Sequence, residues 1–250
     1  MDLISVIIPY YKKKKYIVST INSVLRQSYK NLELIIIYDD VNLDDLVLLK
    51  LLKKKDKRIK IYINKQNLGA GMSRNKGIKL CNGKLIAFLD SDDLWLQDKL
   101  KKQIFFMKKN KIKISHTSYH VIDYANKIIG NRQAKDLNYE QLLNSCDIGL
   151  STVILDKKLI KKNIKFPDIK TKEDYVLWLK IIQNENNIFA LKDNLTKWRR
   201  LNASLSSSKF QRIKDGYLVY RRYMKFSRIK SIIYLSLLSF NYLLKRLKNI

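Results

Sequence analysis

Several things are scarce in this chain, and each scarcity removes a class of protein. Two cysteines, Cys81 and Cys146, lie far apart with no C-x-x-C spacing. That excludes a zinc ribbon or a disulfide framework and points to reduced thiols in a cytoplasmic protein. Glycine is rare, with seven in 250 residues. Gly69-Ala-Gly71 lacks a third glycine and follows the third strand instead of the first, which argues against a dinucleotide fingerprint. No Gly-rich loop follows the first strand, where a nucleotidyltransferase would carry one; Pro9-Tyr-Tyr11 stands there instead. The residues leading into the first strand carry no signal-peptide pattern. Acid is scarce too, 22 Asp and Glu against 51 Lys and Arg, for a formal charge of +29 and a pI near 10.0. Such an excess invites nucleic acid or an anionic membrane. A compositional bias toward Lys, Ile and Asn explains the bulk charge equally well, so only local clusters are informative.

With 46% hydrophobic residues, the chain is able to bury a substantial core, as one domain or one domain with an appendage. Strand-like apolar runs at 3–8, 32–38, 59–63 and 85–89 alternate with helical spacing at 16–26, 44–54 and 72–81. This alternation predicts a parallel, doubly wound α/β sheet. Right-handed crossovers then bring the loops after the strands to one edge. Those loops are where the few acids cluster. Pro9 to Tyr11 follows the first strand, Asp39-Asp40 the second, and Asp90-Ser91-Asp92-Asp93 the fourth.

Three carboxylates within four residues repel one another unless a cation lies between them. Hard oxygen ligands at the end of a buried strand suit Mg²⁺ or Mn²⁺, with a phosphate completing the shell. The competing reading is an acidic helix cap at the start of a helix over 95–109. Further on, 113–123 alternates as a strand, with His116, Ser118 and His120 on one polar face, read as lining a cleft. Ser151 to Leu155 is another strand candidate. Glu173-Asp174 opens a helix, where acids also suit the macrodipole. Trp198-Arg199-Arg200 leads into a hydroxyl-rich loop suited to phosphate oxygens, or a plain surface linker.

From Lys209 onward eleven Lys and Arg face a single acid, Asp215. Phe210, Ile213, Tyr217, Tyr220 and Met224 form one apolar seam on a basic helix, and 232–244 is nearly all apolar. At ~1.5 Å per residue that run is about 20 Å long, too short to span a bilayer. The favoured reading of 208–250 is a basic amphipathic tail lying on an anionic membrane. The competing one packs it on the catalytic domain or on a second subunit, making a homo-oligomer.

Taken together, the chain resembles the GT-A, family 2 inverting glycosyltransferases that build bacterial surface polysaccharides. The motifs that carry the resemblance are Val6-Ile-Ile-Pro9-x-Tyr11, Ser23-Val-Leu-x-Gln27 and Glu33-Leu-Ile-Ile-Ile-x-Asp39-Asp40. They continue with Asn67-x-Gly69, Ser73-Arg74-Asn75-x-Gly77, Phe88-Leu-Asp90-Ser-Asp92-Asp93, Glu173-Asp174, and Trp198-Arg199-Arg200 with Ser204 and Ser206. The resemblance implies a GT-A domain over 1–207, with a nucleotide-sugar half at about 1–110 and an acceptor half at about 111–207. It implies that Pro9, Tyr11, Asp39 and Asp40 hold the nucleotide. Arg74, Asp90, Asp92 and Arg199 would stand around the sugar and diphosphate, with Asp90, Asp92 and Asp93 at a Mg²⁺ or Mn²⁺. Asp174 would be the general base, with Glu173 beside it. The donor would be a nucleoside-diphosphate sugar, with uracil the favoured base, and the acceptor a glycan or lipid-linked saccharide at the inner face of the membrane. A polyprenyl-phosphate glycosyl synthase is the nearest alternative, and a nucleic-acid-binding protein the one from another class. The chain departs from the pattern at Val41-Asn42, Lys12, Trp198 and Leu201.

Overall fold

The computed structural model describes residues 1–201 and 208–247. The expected Ser204 and Ser206 contacts lie outside them. In chain order the elements are β1 Ile4–Tyr10, α1 Lys14–Leu25, β2 Leu32–Tyr38, α2 Asp44–Lys55, β3 Ile59–Ile63, α3 Ala70–Leu80 and β4 Leu85–Phe88. There follow β5 Leu94–Trp95, α4 Lys99–Lys109, β6 Ile114–Ile122, β7 Ile128–Arg132, β8 Leu137–Asn138, α5 Tyr139–Asn144 and β9 Ile154–Asp156. The chain continues with α6 Glu173–Ile182, β10 Asn187–Arg199, α7 Lys209–Leu218 and α8 Arg228–Leu247.

The strands run β3-β2-β1-β4-β9-β6-β10-β5, with β7 beside β6 and β8 beside β10. The first four are parallel, as the apolar runs predict. Alternate side chains explain why those runs are unbroken. Ile7, Ile35, Ile37, Ile86 and Phe88 enter the core on one side of the sheet. Val6, Ile8, Leu34, Ile36 and Ala87 enter the core on the other. β9 is antiparallel to both β4 and β6, so it joins the parallel half to the second pair, β6 and β10, which is parallel again.

The structure corrects four readings. The helix expected from Trp95 begins at Lys99, because Leu94–Trp95 is a short strand against β10 and the Trp95 indole donates to Ser151 O at 2.7 Å. The strand expected over 151–155 begins only at Ile154, after a single tight turn at Leu150–Thr152. The polar face of β6, expected to line a cleft, is taken up by the segment that follows it. His116 Nε2 bonds Lys135 O, the Ser118 hydroxyl accepts from Ala134 N, and His120 Nδ1 meets Asn131. Those contacts bind the strand and loop that follow. The seam from Phe210 to Met224 is not one packed face: α7 leads into a π-helical turn at Val219–Tyr223. Tyr220 and Met224 are buried while Phe210 and Ile213 are exposed.

The tail packs on the body. Asp215 Oδ2 accepts from Thr171 N and Oγ1 at 2.9 Å each, and the Tyr220 hydroxyl donates to Leu143 O at 2.7 Å. Asn241 donates to Asn144 O, and Lys245 pairs with Asp147.

Candidate active site

The ends of β1, β2 and β4 and the starts of α3 and α6 meet at one edge of the sheet. Arg74, on α3 and almost wholly buried, ties them together. Its Nη2 donates to Asp90 Oδ1 and its Nη1 to Glu173 Oε1, each at 2.7 Å. The two carboxylates hold the guanidinium charged despite its burial. Residues 99 positions apart in sequence thereby become neighbours. Gly71, one turn earlier, makes this approach feasible, since a Cβ there would lie 3.1 Å from Glu173 Cγ and 3.2 Å from Pro167 O.

Beside Glu173, Asp174 accepts only from its own neighbour's amide, Tyr175 N, at 2.7 Å among the contacts described. Burial first, and Glu173 second, push its carboxyl from an ordinary 3.8 up to about 7. A carboxylate poised there is well placed to accept a proton near neutral pH.

Each paired-acid loop divides its acids between two tasks. In the loop after β2, both Asp39 oxygens are committed. Oδ1 accepts from Asn64 Nδ2 and Leu68 N, and Oδ2 from Gly69 N, all within 2.8 Å. Gly69 has φ +80°, which a side chain rarely adopts. Asp39 therefore braces the 64–69 loop instead of facing a nucleotide. Asp40 makes one loop contact, from Asn42 N at 3.1 Å. Pro9 is buried opposite Ile37, and Tyr11 is 43% exposed at the mouth.

In the loop after β4 the order is reversed. Asp93 is the committed acid, accepting from Arg199 N at 2.8 Å and the Ser151 hydroxyl at 2.6 Å. Burial, then Asp92 and Asp90, push its carboxyl well above the usual range. Asp93 is thus a buried brace, and the expected set of three metal ligands narrows to Asp90 and Asp92. Asp92 is raised by burial and by Asp90, and is partly relieved by Lys13, whose Nζ stands 2.8 Å from Oδ2. No group of three or more metal-ligating side chains occurs among the described residues. A pair of carboxylates still fits Mg²⁺ or Mn²⁺, which take one or two protein carboxylates when phosphates supply the rest. The cation demand at Asp92 is visible in Lys13, a cation drawn to it from the next loop.

Arg199 also differs from expectation. Its Nε donates to Asp92 O, Nη1 to Asp123 O and Nη2 to Asn126 Oδ1, while its guanidinium lies 4.6 Å from the Tyr16 ring centre. It holds the acidic loop in place; the exposed basic residue beside it is Arg200.

Lys13 and Ser151 had no role in the sequence reading. Thr20 on α1 was also missed. Its hydroxyl reaches Ser91 O and Asp93 O at 3.1 and 2.9 Å. Ser23 accepts from Trp95 N, and Gln27 binds Leu96 O and Leu100 N. The available signal was polar residues at positions 20, 23 and 27, the spacing of one helix face.

The family profile "Glycosyl transferase family 2" matches residues 5–165. The UDP-Glc:alpha-D-GlcNAc-diphosphoundecaprenol beta-1,3-glucosyltransferase WfgD of Escherichia coli is 40% identical over 215 residues, 85% of this chain and 83% of that one. The putative teichuronic acid biosynthesis glycosyltransferase TuaG of Bacillus subtilis is 34% identical over 88% of this chain and 87% of its own length. Among solved structures, S. aureus TarS 1-349 in complex with UDP-GlcNAc superposes with a TM-score of 0.71. It covers 94% of this chain and 70% of its own, at 21% identity, a likeness of GT-A fold. The chain belongs to glycosyltransferase family 2.

Proposed function

We propose that this chain is an inverting, metal-assisted glycosyltransferase. It takes a sugar from a nucleoside-diphosphate donor, UDP-glucose being the first to test, and places it on a hydroxyl of a lipid-linked saccharide in surface-polysaccharide assembly. The named activities of the two relatives support the substrate classes. The observation that carries the mechanism is the Arg74 bridge, which brings the acid pair of α6 to the loop after β4.

On this reading, Pro9, Tyr11 and Asp40 hold the base and ribose, Asp40 by accepting from a ring N–H. Asp90 and Asp92 would hold Mg²⁺ or Mn²⁺, whose charge would stabilise the departing diphosphate. Lys13 leaves Asp92 as the donor arrives and turns toward phosphate oxygens. Arg74 holds Glu173 in place. Asp174 removes the acceptor hydroxyl's proton as the oxygen attacks the anomeric carbon from the face opposite the diphosphate, a step typically worth ~10²–10⁴-fold. One displacement inverts the centre, so an α-linked donor gives a β-linked product.

The test is a melting-temperature screen of UDP- and GDP-sugars with and without Mn²⁺, followed by transfer to a short prenyl-diphosphate-linked GlcNAc. A donor that binds the folded state raises its melting point. A metal-dependent rise with UDP-glucose and a β-linked product supports the proposal. No rise with any sugar nucleotide, or an α-linked product, overturns it.

A further inference from the structure

The packed tail leaves one apolar face uncovered. Along α8, Ile229, Ile232, Ile233, Leu237, Phe240 and Leu243 are between 40% and 75% exposed. At 100° per residue they form one stripe, about 21 Å long. The opposite side is the one that packs: Ser231 and Leu238 are buried, and Asn241 and Lys245 bind the 144–147 segment. The helix is therefore apolar toward solvent as well as inward. Only Ser236 interrupts it, and a soluble monomer rarely exposes such a patch without a partner.

Charge identifies that partner. Arg221 and Arg222 on the π-helical turn, Lys225 after it, and Arg228 and Lys230 in the first turn of α8 are all exposed. The one acid of the tail, Asp215, is buried against Thr171. The tail of a second copy of this chain offers no exposed acid to pair with this cluster, whereas an anionic surface neutralises it and receives the stripe together. Nor does any described helix have the length and apolarity to cross a membrane. We propose that the stripe of α8 is a docking surface for the face of an anionic phospholipid bilayer, with the basic cluster paired to headgroups.

The placement also concerns catalysis. Through Asp215 the tail clamps Thr171, two residues before Glu173, and Lys172 lies against Gly216. The docked helix thus sits beside the segment that carries the proposed base. A lipid-linked acceptor would reach Asp174 from the bilayer side. This consequence rests on the proposed function; the docking itself does not.

Deleting the tail would remove core residues Val219, Tyr220 and Leu238 and expose what they pack on, so point substitutions are the better probe. The full chain is sedimented with vesicles of phosphatidylcholine alone and of phosphatidylcholine with phosphatidylglycerol. Wild type should pellet with the anionic vesicles and be released by salt. Ile233→Ser with Phe240→Ser should weaken binding at least about tenfold, and Arg221→Gln with Arg222→Gln should weaken it and reduce its salt dependence. All four side chains are exposed, so melting temperature and the donor-induced shift should match wild type. Wild type left in the supernatant with anionic vesicles, or variants that bind as wild type does, overturns the proposal. So does a dimer in sedimentation velocity that the apolar double variant abolishes. Vesicle binding without transfer to a lipid-linked acceptor would uphold the docking surface and overturn the acceptor reading.

Discussion

The loops after β2 and β4 each carry two adjacent aspartates, yet the pairs are used in opposite order. After β2 the first acid, Asp39, is bound to Asn64, Leu68 and Gly69, and Asp40 keeps capacity to spare. After β4 the second acid, Asp93, is bound to Arg199 and Ser151, and Asp92 faces the Lys13 ammonium. Paired acids at strand ends thus combine a carboxylate that shapes the loop with one that the loop presents. The number of hydrogen bonds from the protein tells them apart; residue type does not.

The sharpest way to break this division is at the third acid pair. Asp174→Asn should lower kcat for transfer by about 10²–10⁴-fold while leaving the donor-induced thermal shift intact. Transfer at the wild-type rate would remove the base assignment. Next in size are the braces. Asp39→Ala and Asp93→Ala each strand buried donors and should cost about 2–4 kcal/mol, read from denaturant unfolding. Asp93→Asn should cost under about 1 kcal/mol, because the site already disfavours the charge. Asp40→Ala and Asp92→Asn should reverse the pattern, raising donor KM about tenfold or more with little change in stability. Equal stability losses at Asp39 and Asp40 would erase the contrast.

A smaller effect is expected at Lys13. Lys13→Met leaves Asp92 without its resident cation, so Mn²⁺ should bind the donor-free protein several-fold more tightly, measured by titration calorimetry. Unchanged metal affinity would show that Lys13 does not compete for Asp92. The gentlest probe is pH. A base must be unprotonated, and Asp174 is raised to about 7. The kcat should therefore climb as pH rises through about 7, in a profile whose acidic limb Asp174→Asn removes. A limb centred near 4 would place the working base elsewhere.

The parallel half of the fold is written plainly in the chain, because strands buried on both faces must be apolar throughout, and a polar cluster at the end of each run marks the edge. β10 was hidden for the converse reason. It is paired to β6 through two register shifts around Asn194, and the polar Lys192-Asp193-Asn194 interrupts any alternation. Arg199 looked like a phosphate fork because a neighbouring basic pair and hydroxyls surround it in sequence. Only the folded chain shows its nitrogens turned inward to Asp92, Asp123 and Asn126.

By itself the sequence determined the alternation of strand and helix, the edge where the acids gather, the family, and a tail too short to span a bilayer. Those properties follow from local patterning, which a single chain displays without reference to its fold. Tertiary structure decided which member of each acid pair is spent on the protein, that Arg74 joins Asp90 to Glu173, and which side of α8 is left bare. Each of those depends on what lies opposite a side chain, and that partner is dozens of residues away.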